Sequence, residues 1–210
     1  MKADGLIFDI DGTIWDTTGI VAEAWNASFK AKGLDVGVEA EELKNLFGLP
    51  LLDITKKILE KSKRSYTQAK TLSVLECMTA YEIDYLQKYG APMYEGFKDT
   101  IGKLAEKYPL AVVSNCQAGY AELMLQKTGL SEFFNLHLCP DDTGKLKADN
   151  IKLAALRLGM SRPAYIGDTS MDETAAKDAG VLFIWAKYGF GTTKMPDATL
   201  EKPSDLLLLF

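Results

Sequence analysis

Five short apolar runs recur along the chain, and their spacing constrains the fold more than any other feature. They are Leu6–Phe8, Leu110–Val113, Phe134–Leu138, Ala164–Ile166 and Val181–Trp185. Stretches with helical spacing of apolar residues separate the later runs, near Tyr120–Lys127, Asn150–Leu158 and Met171–Ala179. A glycine follows each stretch, as is common where a helix ends. This alternation predicts an α/β fold, a doubly wound, Rossmann-like parallel sheet.

Residues 16–87 interrupt the alternation, because they contain no run that resembles a strand. They are predicted to form several helices separated by glycine and proline turns. We therefore expect two domains, a catalytic core of residues 1–15 and 88–210 and an inserted helical cap of residues 16–87. The linkers would fall near residues 14–16 and 87–92.

Composition excludes several classes of protein. Of the 210 residues, 47% are hydrophobic, which favours a folded core over general disorder. With a formal net charge of −5, the chain lacks the excess of basic residues expected of a nucleic-acid-binding protein. The widely spaced Cys77, Cys116 and Cys139 form no C-x-x-C pair, so we expect reduced, buried thiols.

The length and position of the apolar runs indicate where in the cell the protein is expected. None approaches the roughly 18 residues of a membrane span. The first strand begins too early to leave room for a signal peptide. We therefore expect a cytoplasmic protein, monomeric or weakly homodimeric, that binds neither membranes nor nucleic acid.

The first candidate site is Asp9-Ile10-Asp11-Gly12-Thr13, directly after the first apolar run. In an extended backbone, side chains two residues apart point the same way, so Asp9 and Asp11 can face one pocket. Their repulsion favours either a bound cation or a retained proton. Gly12 permits a tight turn, and Thr13 offers a hydroxyl and an amide to an anion. The same residues are also typical of an acidic turn at a strand end.

Polar residues also follow the second and fourth runs. Ser114 and Asn115 supply a hydroxyl and an amide that can hold phosphate oxygens, although Ser-Asn is also a common turn. Asp168, with Asp172 one helical turn later, could join the first pair of carboxylates around Mg²⁺. Alternatively, Asp168 or Thr169 could simply cap the helix that follows.

Together these motifs resemble the haloacid dehalogenase-like (HAD) superfamily over essentially the whole chain. Asp9–Thr13 matches its first motif, D-x-D-G-T, and Ser114 its second. Gly167-Asp168 with Asp172 matches its fourth, G-D-x-x-x-D. The helical insert resembles the C1-type cap of this superfamily. The chain is similar to small-molecule phosphatases of the phosphoglycolate phosphatase and β-phosphoglucomutase sort.

The lysine of the third motif has two candidates, Lys145 and Lys147, because the common K-P-x-P-D pattern is absent. Aligning Asp149 with the aspartate of that pattern selects Lys145. The K-x-x-N-I pattern of close relatives selects Lys147, which also lies nearer Asn150, the expected cap of the next helix. We choose Lys147 on these two grounds. A lysine in this segment could reach a phosphate as a point charge.

The resemblance implies catalytic roles. Asp9 would be the nucleophile that forms an aspartyl phosphate, and Asp11 would act first as general acid and then as general base. Ser114 and Lys147 would stabilise the charge of the transferring phosphoryl group. The substrate-binding residues would be Thr13, Ser114, Asn115 and Lys147.

The resemblance also implies a metal site. Mg²⁺ would be held by the side chains of Asp9 and Asp168 and by the backbone carbonyl of Asp11. Asp172 would orient these ligands from behind. The implied cofactor is therefore Mg²⁺, and the implied partner is a small phosphorylated metabolite.

The leading hypothesis is thus a Mg²⁺-dependent phosphatase, and the alternative is a phosphotransferase or mutase that uses the same aspartyl phosphate. A dehalogenase is disfavoured because Asp11 is present. A receiver domain is disfavoured because it carries its phosphorylated aspartate on a middle strand and has no cap-sized insert. Trp15, Trp25 and Tyr94 could line a crevice or pack in a core, and His137 is expected in the core.

Overall fold

Residues 2–210 are described by the computed structural model, and they fold into two compact units. One unit combines the chain up to Asp16 with Pro92–Phe210, and the other is Thr17–Ala91. The second unit is therefore an insertion between two strands of the first.

The inserted unit is helical. Its helices are α1 (Thr18–Ala31), α2 (Ala40–Leu43), α3 (Leu51–Glu60) and α4 (Gln68–Tyr89). Their apolar faces enclose one buried cluster that includes Trp25, Phe29, Ile58 and Met78. Within the described part of the chain, no helix is both long and apolar enough to cross a membrane.

Trp25 belongs to the core of this inserted unit. Its indole Nε1 donates to Glu82 Oε2 at 2.8 Å, and both side chains are buried. The ring also packs edge-on against Phe47. Of the two interpretations of Trp25, core packing within the helical unit is therefore the one observed.

The first unit contains a sheet of six parallel strands in the order β3-β2-β1-β4-β5-β6. The strands are β1 (Gly5–Phe8), β2 (Leu110–Val113), β3 (Leu136–Leu138), β4 (Pro163–Gly167), β5 (Leu182–Ala186) and β6 (Ala198–Leu200). This confirms the predicted α/β, Rossmann-like fold. Sequence analysis missed β6, because Ala-Thr-Leu is too short to stand out as an apolar run.

Helices cover both faces of this sheet. They are α5 (Phe97–Ala105), α6 (Tyr120–Thr128), α7 (Pro140–Thr143), α8 (Lys147–Arg157), α9 (Ser170–Ala179) and α10 (Leu206–Leu209). A short 3-10 helix at Pro203–Asp205 precedes α10.

The central strand β1 is apolar throughout because it is buried on both faces. Ile7 packs in a cluster with Ile151 of α8 and Ala176 of α9. Phe8 contacts Phe97 and Phe134 edge-on, with ring centroids 5.9 and 5.7 Å apart. Successive side chains of the strand therefore anchor it between two helical layers.

Helix α8 begins earlier than the sequence predicts, and Asn150 does not cap it. The residue before the helix is Leu146, and Asn150 lies one turn inside. Asn150 Oδ1 instead accepts a hydrogen bond of 2.7 Å from the Thr143 hydroxyl, which ties α7 to α8. The early start makes Lys147 the first residue of the helix.

His137 and the cysteines differ in part from expectation. His137 is half-buried on the edge strand β3, with its Nδ1 3.7 Å from Glu122 Oε1, so it is not a core residue. All three cysteines are free thiols. Cys116 and Cys139 are buried, whereas Cys77 is only half-buried on α4.

Candidate active site

Predicted site residues lie at the carboxyl ends of three adjacent strands. Asp9 follows β1, Ser114 follows β2 and Asp168 follows β4. The Asp9 amide donates to the Ile166 carbonyl at 2.9 Å, which holds the first motif against β4. The strand order reverses at β1 and β4, and ligands of open α/β sheets bind in the crevice at such a point.

Lys147 lies in the same cluster through its side chain. Its Nζ is 3.0 Å from Asp9 Oδ1 and 2.8 Å from Asp172 Oδ1. All three side chains are buried. Lys145 is exposed to solvent, so of the two candidate lysines it is Lys147 that joins the carboxylates.

Asp172 is held by hydrogen bonds on both oxygens. Its Oδ2 accepts from the amide of Thr169 at 3.0 Å and from the Thr169 hydroxyl at 2.6 Å. Thr169 is the residue that caps α9, and the pair forms a capping box. The helix cap therefore holds Oδ2, and Oδ1 accepts the hydrogen bond from Lys147.

Asp168 is held on one carboxylate oxygen only. Oδ2 accepts a hydrogen bond of 2.7 Å from the Phe190 amide, in the loop after β5. Oδ1 is buried, and it has no hydrogen-bond partner among the described residues. A buried carboxylate oxygen without a partner is costly unless a ligand completes it.

These carboxylates fit a hard divalent cation. Asp9, Asp168 and Asp172 each offer one oxygen, and the three oxygens lie within 4.8 Å of one another. When all three carboxyls are ionised, one lysine does not balance their charge, so an excess of negative charge remains for a cation to neutralise. The side-chain group thus contains two of the predicted metal ligands, Asp9 and Asp168, with Asp172 beside them.

Burial and crowding of like charges raise the pKa values of two carboxyls. Burial raises the pKa of Asp9 to about 6, and Asp172 adds to the effect, while Lys147 and a hydrogen bond from Ser114 oppose it. The pKa of Asp168 is raised well above its ordinary value by burial and then by Asp172 and Asp9. Burial tends to lower the pKa of Lys147, but the charges of Asp172 and Asp9 outweigh it and the net shift is upward.

Asp11 lies in a different environment from Asp9. It is half-buried, and its Oδ1 accepts hydrogen bonds from the Tyr120 hydroxyl at 2.7 Å and the Trp15 indole at 3.2 Å. Tyr120 was missed by sequence analysis, since it opens α6 outside every matched motif. For Trp15 the sequence suggested only that it lines a crevice or packs in a core, and neither interpretation includes a hydrogen bond to Asp11.

Two glycines allow the loops to meet at the site. Gly12 has φ of +80°, and a Cβ there would collide with the Asp168 carboxylate. A Cβ at Gly189 would collide with the carbonyl of Gly12 and with Asp168. The loop after β5 therefore reaches Asp168 only because both positions lack side chains, and this loop was also missed by sequence analysis.

Thr13 and Asn115, which the sequence predicts to bind substrate, lie in the turns that follow β1 and β2. The Thr13 amide donates to the Ile10 carbonyl at 3.1 Å, so the turn itself uses this amide. The Thr13 hydroxyl is buried, and it has no partner in the described part of the chain. Asn115 is half-buried directly after Ser114.

Residues 6–186 match the haloacid dehalogenase-like hydrolase family. The chain belongs to this family. The match confirms the superfamily inferred from the motifs, and with it an enzyme of the hydrolase class.

Relatives of known description are similar over almost their full length. A phosphoglycolate phosphatase of Aquifex aeolicus is 28% identical, covering 97% of this chain and 95% of that protein. A candidate pyrophosphatase of Clostridium perfringens is 25% identical, covering 96% and 94%. A crystal structure of a predicted phosphoglycolate phosphatase from Haemophilus somnus has a TM-score of 0.86 at 18% identity, covering 98% and 97%. This last similarity supports the fold alone.

The raised pKa of Asp9 predicts a pH-dependent gain in stability for Asp9→Asn. Folding opposes ionisation of Asp9, whose pKa rises from 3.8 to about 6, whereas asparagine has no proton to lose. Without divalent metal at pH 7, the free energy of unfolding of the variant should exceed that of wild type by on the order of 2–3 kcal/mol. The variant should therefore unfold at a higher temperature. The gain should disappear as pH falls from about 6 to about 4, where wild-type Asp9 becomes protonated.

Thermal unfolding monitored by circular dichroism in EDTA between pH 4 and 8 measures this difference. Asp99→Asn, at an exposed position in α5, is the matched control and should follow wild type. A variant no more stable than wild type at pH 7 would contradict the argument.

Proposed function

We propose that this enzyme is a Mg²⁺-dependent phosphatase that hydrolyses a small phosphomonoester through an aspartyl phosphate on Asp9. The observation that carries the proposal is the setting of this carboxylate. Asp9 follows the central strand, contacts Lys147 at 3.0 Å and has a carboxylate oxygen within 4.8 Å of one of Asp168, whose Oδ1 has no hydrogen-bond partner among the described residues. Such a carboxylate can attack phosphorus once positive charge offsets the repulsion between the two anions.

The proposed reaction has two steps. First, an Asp9 oxygen forms a bond to phosphorus as the ester oxygen leaves, and Asp11 donates a proton to the departing alkoxide. Second, Asp11 accepts a proton from water, whose oxygen attacks the phosphorus. The bond between Asp9 and phosphorus breaks, which releases phosphate and restores both carboxyls.

Asp9 and Asp168 are the proposed side-chain ligands of Mg²⁺, together with the Asp11 carbonyl, and Asp172 is the proposed support. The ion would supply positive charge that neutralises the site and the phosphate oxygens. Lys147 and the Ser114 hydroxyl, both already hydrogen-bonded to Asp9, would bind the oxygens of the transferring group. The Thr13 hydroxyl and Asn115 would complete the phosphate site.

Relatives named phosphoglycolate phosphatase make 2-phosphoglycolate the first substrate to test. Pyrophosphate belongs in the same panel of substrates because another relative is described as a pyrophosphatase.

The same assays separate hydrolysis from phosphoryl transfer. Release of inorganic phosphate supports the phosphatase, whereas transfer to a sugar phosphate without phosphate release would favour the mutase.

We further propose that the helical unit acts as a cap that selects the substrate. The proposal of a cap is supported by the separation of the chain into two compact units at Asp16 and Pro92. The Asp16 amide donates to the Pro92 carbonyl at 2.9 Å, so the two ends of the insert leave the core side by side. Movement of such a unit could gate access and exclude water.

Asp9→Asn should abolish phosphatase activity, since an amide is not a comparable nucleophile.

Asp168→Ala should weaken Mg²⁺ binding and lower activity by at least about 100-fold. The measurements are phosphate release with Mg²⁺ or EDTA, and Mg²⁺ titration by calorimetry. Turnover by Asp9→Asn within a few-fold of wild type, or activity that survives EDTA, would contradict the proposal.

Lys147→Ala should lose far more activity than Lys145→Ala, although the two lysines are separated by a single residue. Removing Lys147 takes the positive charge from two buried carboxylates and from the phosphate, and a loss of about 100-fold or more in kcat/KM is expected. Lys145 is exposed, so its removal should change kcat/KM by less than about 2-fold. Equal losses in the two variants would refute the assignment.

Replacing residues 17–91 with a short linker should spare the core, because Asp16 and Pro92 are already hydrogen-bonded neighbours. The shortened enzyme should hydrolyse p-nitrophenyl phosphate slowly and lose discrimination among metabolite phosphates. The quantity to compare is the ratio of kcat/KM for a good and a poor substrate in both proteins. An unchanged ratio would place specificity in the core and refute the cap.

A further inference from the structure

We propose that Tyr120, together with Trp15, positions Asp11 as the acid and base of the reaction. The inference rests on the proposed phosphatase function, in which Asp11 exchanges a proton with the leaving group and then with water. Neither aromatic residue belongs to the motifs of the family identified above. The role assigned to them is to hold the carboxyl group of Asp11 in one orientation.

Two donors from different parts of the chain meet on one oxygen. The Tyr120 hydroxyl is 2.7 Å from Asp11 Oδ1, and the Trp15 Nε1 is 3.2 Å from the same atom. Both aromatic side chains are buried. Because two buried donors converge on Oδ1, this oxygen is held in place and rotation of the carboxyl group is restrained.

The fold holds the donors themselves in place. The two rings pack edge to face, with centroids 6.0 Å apart and planes at 77°. The carbonyl of Trp15 accepts from the Gly12 amide at 3.0 Å, which closes the turn directly after Asp11. Tyr120 is the first residue of α6, so the hydroxyl is fixed by a helix rather than by a mobile loop.

This arrangement suits a group that changes protonation state during the reaction. When Asp11 is ionised, Oδ1 accepts both hydrogen bonds as a carboxylate oxygen. When the proton is on Oδ2, Oδ1 is a carbonyl oxygen and still accepts both. The donors can therefore hold the group through both chemical steps while Oδ2 gives and takes the proton, and a fixed position of this kind lowers the barrier to proton transfer.

The test uses leaving groups that differ in their need for a proton. Phenyl phosphate releases a basic phenolate that benefits from protonation, whereas p-nitrophenyl phosphate releases a stabilised phenolate that needs little. Because kcat/KM reports the steps through the first irreversible one, it isolates transfer to Asp9. Tyr120→Phe removes only the hydroxyl and keeps the packed ring.

We expect Tyr120→Phe to lower kcat/KM by roughly 10-fold or more on phenyl phosphate and by less than about 3-fold on p-nitrophenyl phosphate. The loss should appear in kcat rather than KM. Tyr108→Phe is the matched control, since Tyr108 precedes β2 at the opposite end of the sheet and packs on Phe210. It should leave both substrates unchanged.

A second measurement links the effect to Asp11. In an Asp11→Asn background, Tyr120→Phe should cause no further loss on phenyl phosphate, because the group that it positions is gone. If Tyr120→Phe folds poorly by circular dichroism, Trp15→Phe removes the other donor and takes its place in both measurements.

The outcomes separate this inference from the proposed function. Equal losses on the two substrates, or an undiminished loss in the Asp11→Asn background, would overturn the positioning role while phosphatase activity stands. A wild-type enzyme that hydrolyses neither substrate, with Mg²⁺ present, would overturn the proposed function and the positioning role together.

Discussion

Lys147 bridges two buried carboxylates, and the arrangement of the site depends on this contact. Its ammonium group lies within 3.0 Å of Asp9 and 2.8 Å of Asp172, and so joins α8 to β1 and α9. A buried charge is tolerated only when it is paired and hydrogen-bonded. The pairing is incomplete, because Asp168 adds a third carboxyl group with one oxygen that accepts no hydrogen bond from any described residue. The site therefore contains three buried carboxyl groups and a single lysine, a set of charges that a divalent cation could balance.

Strand pairing and helix capping bring these side chains together. Parallel strands bring their carboxyl ends to one edge, so Asp9 and Asp168 become neighbours once β1 and β4 pair. Thr169 then caps α9 and binds Asp172 with the same side chain. The hydrogen bonds that cap the helix thus also fix the position of the Asp172 carboxylate, which faces Lys147.

Local patterns made much of this predictable, and long-range contacts did not. The sequence places Asp9 and Asp168 at strand ends because apolar runs and their polar termini are local features. Lys147 needed the family resemblance, since a lysine in a loop is ordinarily solvated. Tyr120 lies 109 residues from Asp11, and no periodicity or motif relates two side chains so far apart. The Phe190 amide on Asp168 was unpredictable for the same reason, as it depends on how a loop folds back.

The two carboxylates of the first motif show how environment separates their chemistry. Asp9 is buried against a lysine and other carboxylates, so its properties are set by neighbouring charge. Asp11 is held by a phenol and an indole, which donate hydrogen bonds without contributing a formal charge. A nucleophile benefits from charged neighbours that can also bind the incoming phosphate, whereas a group that must both give and take a proton benefits from neutral donors that tolerate either state. Residues that are almost adjacent in sequence can thereby be suited to different tasks, because each faces side chains supplied by different strands and helices.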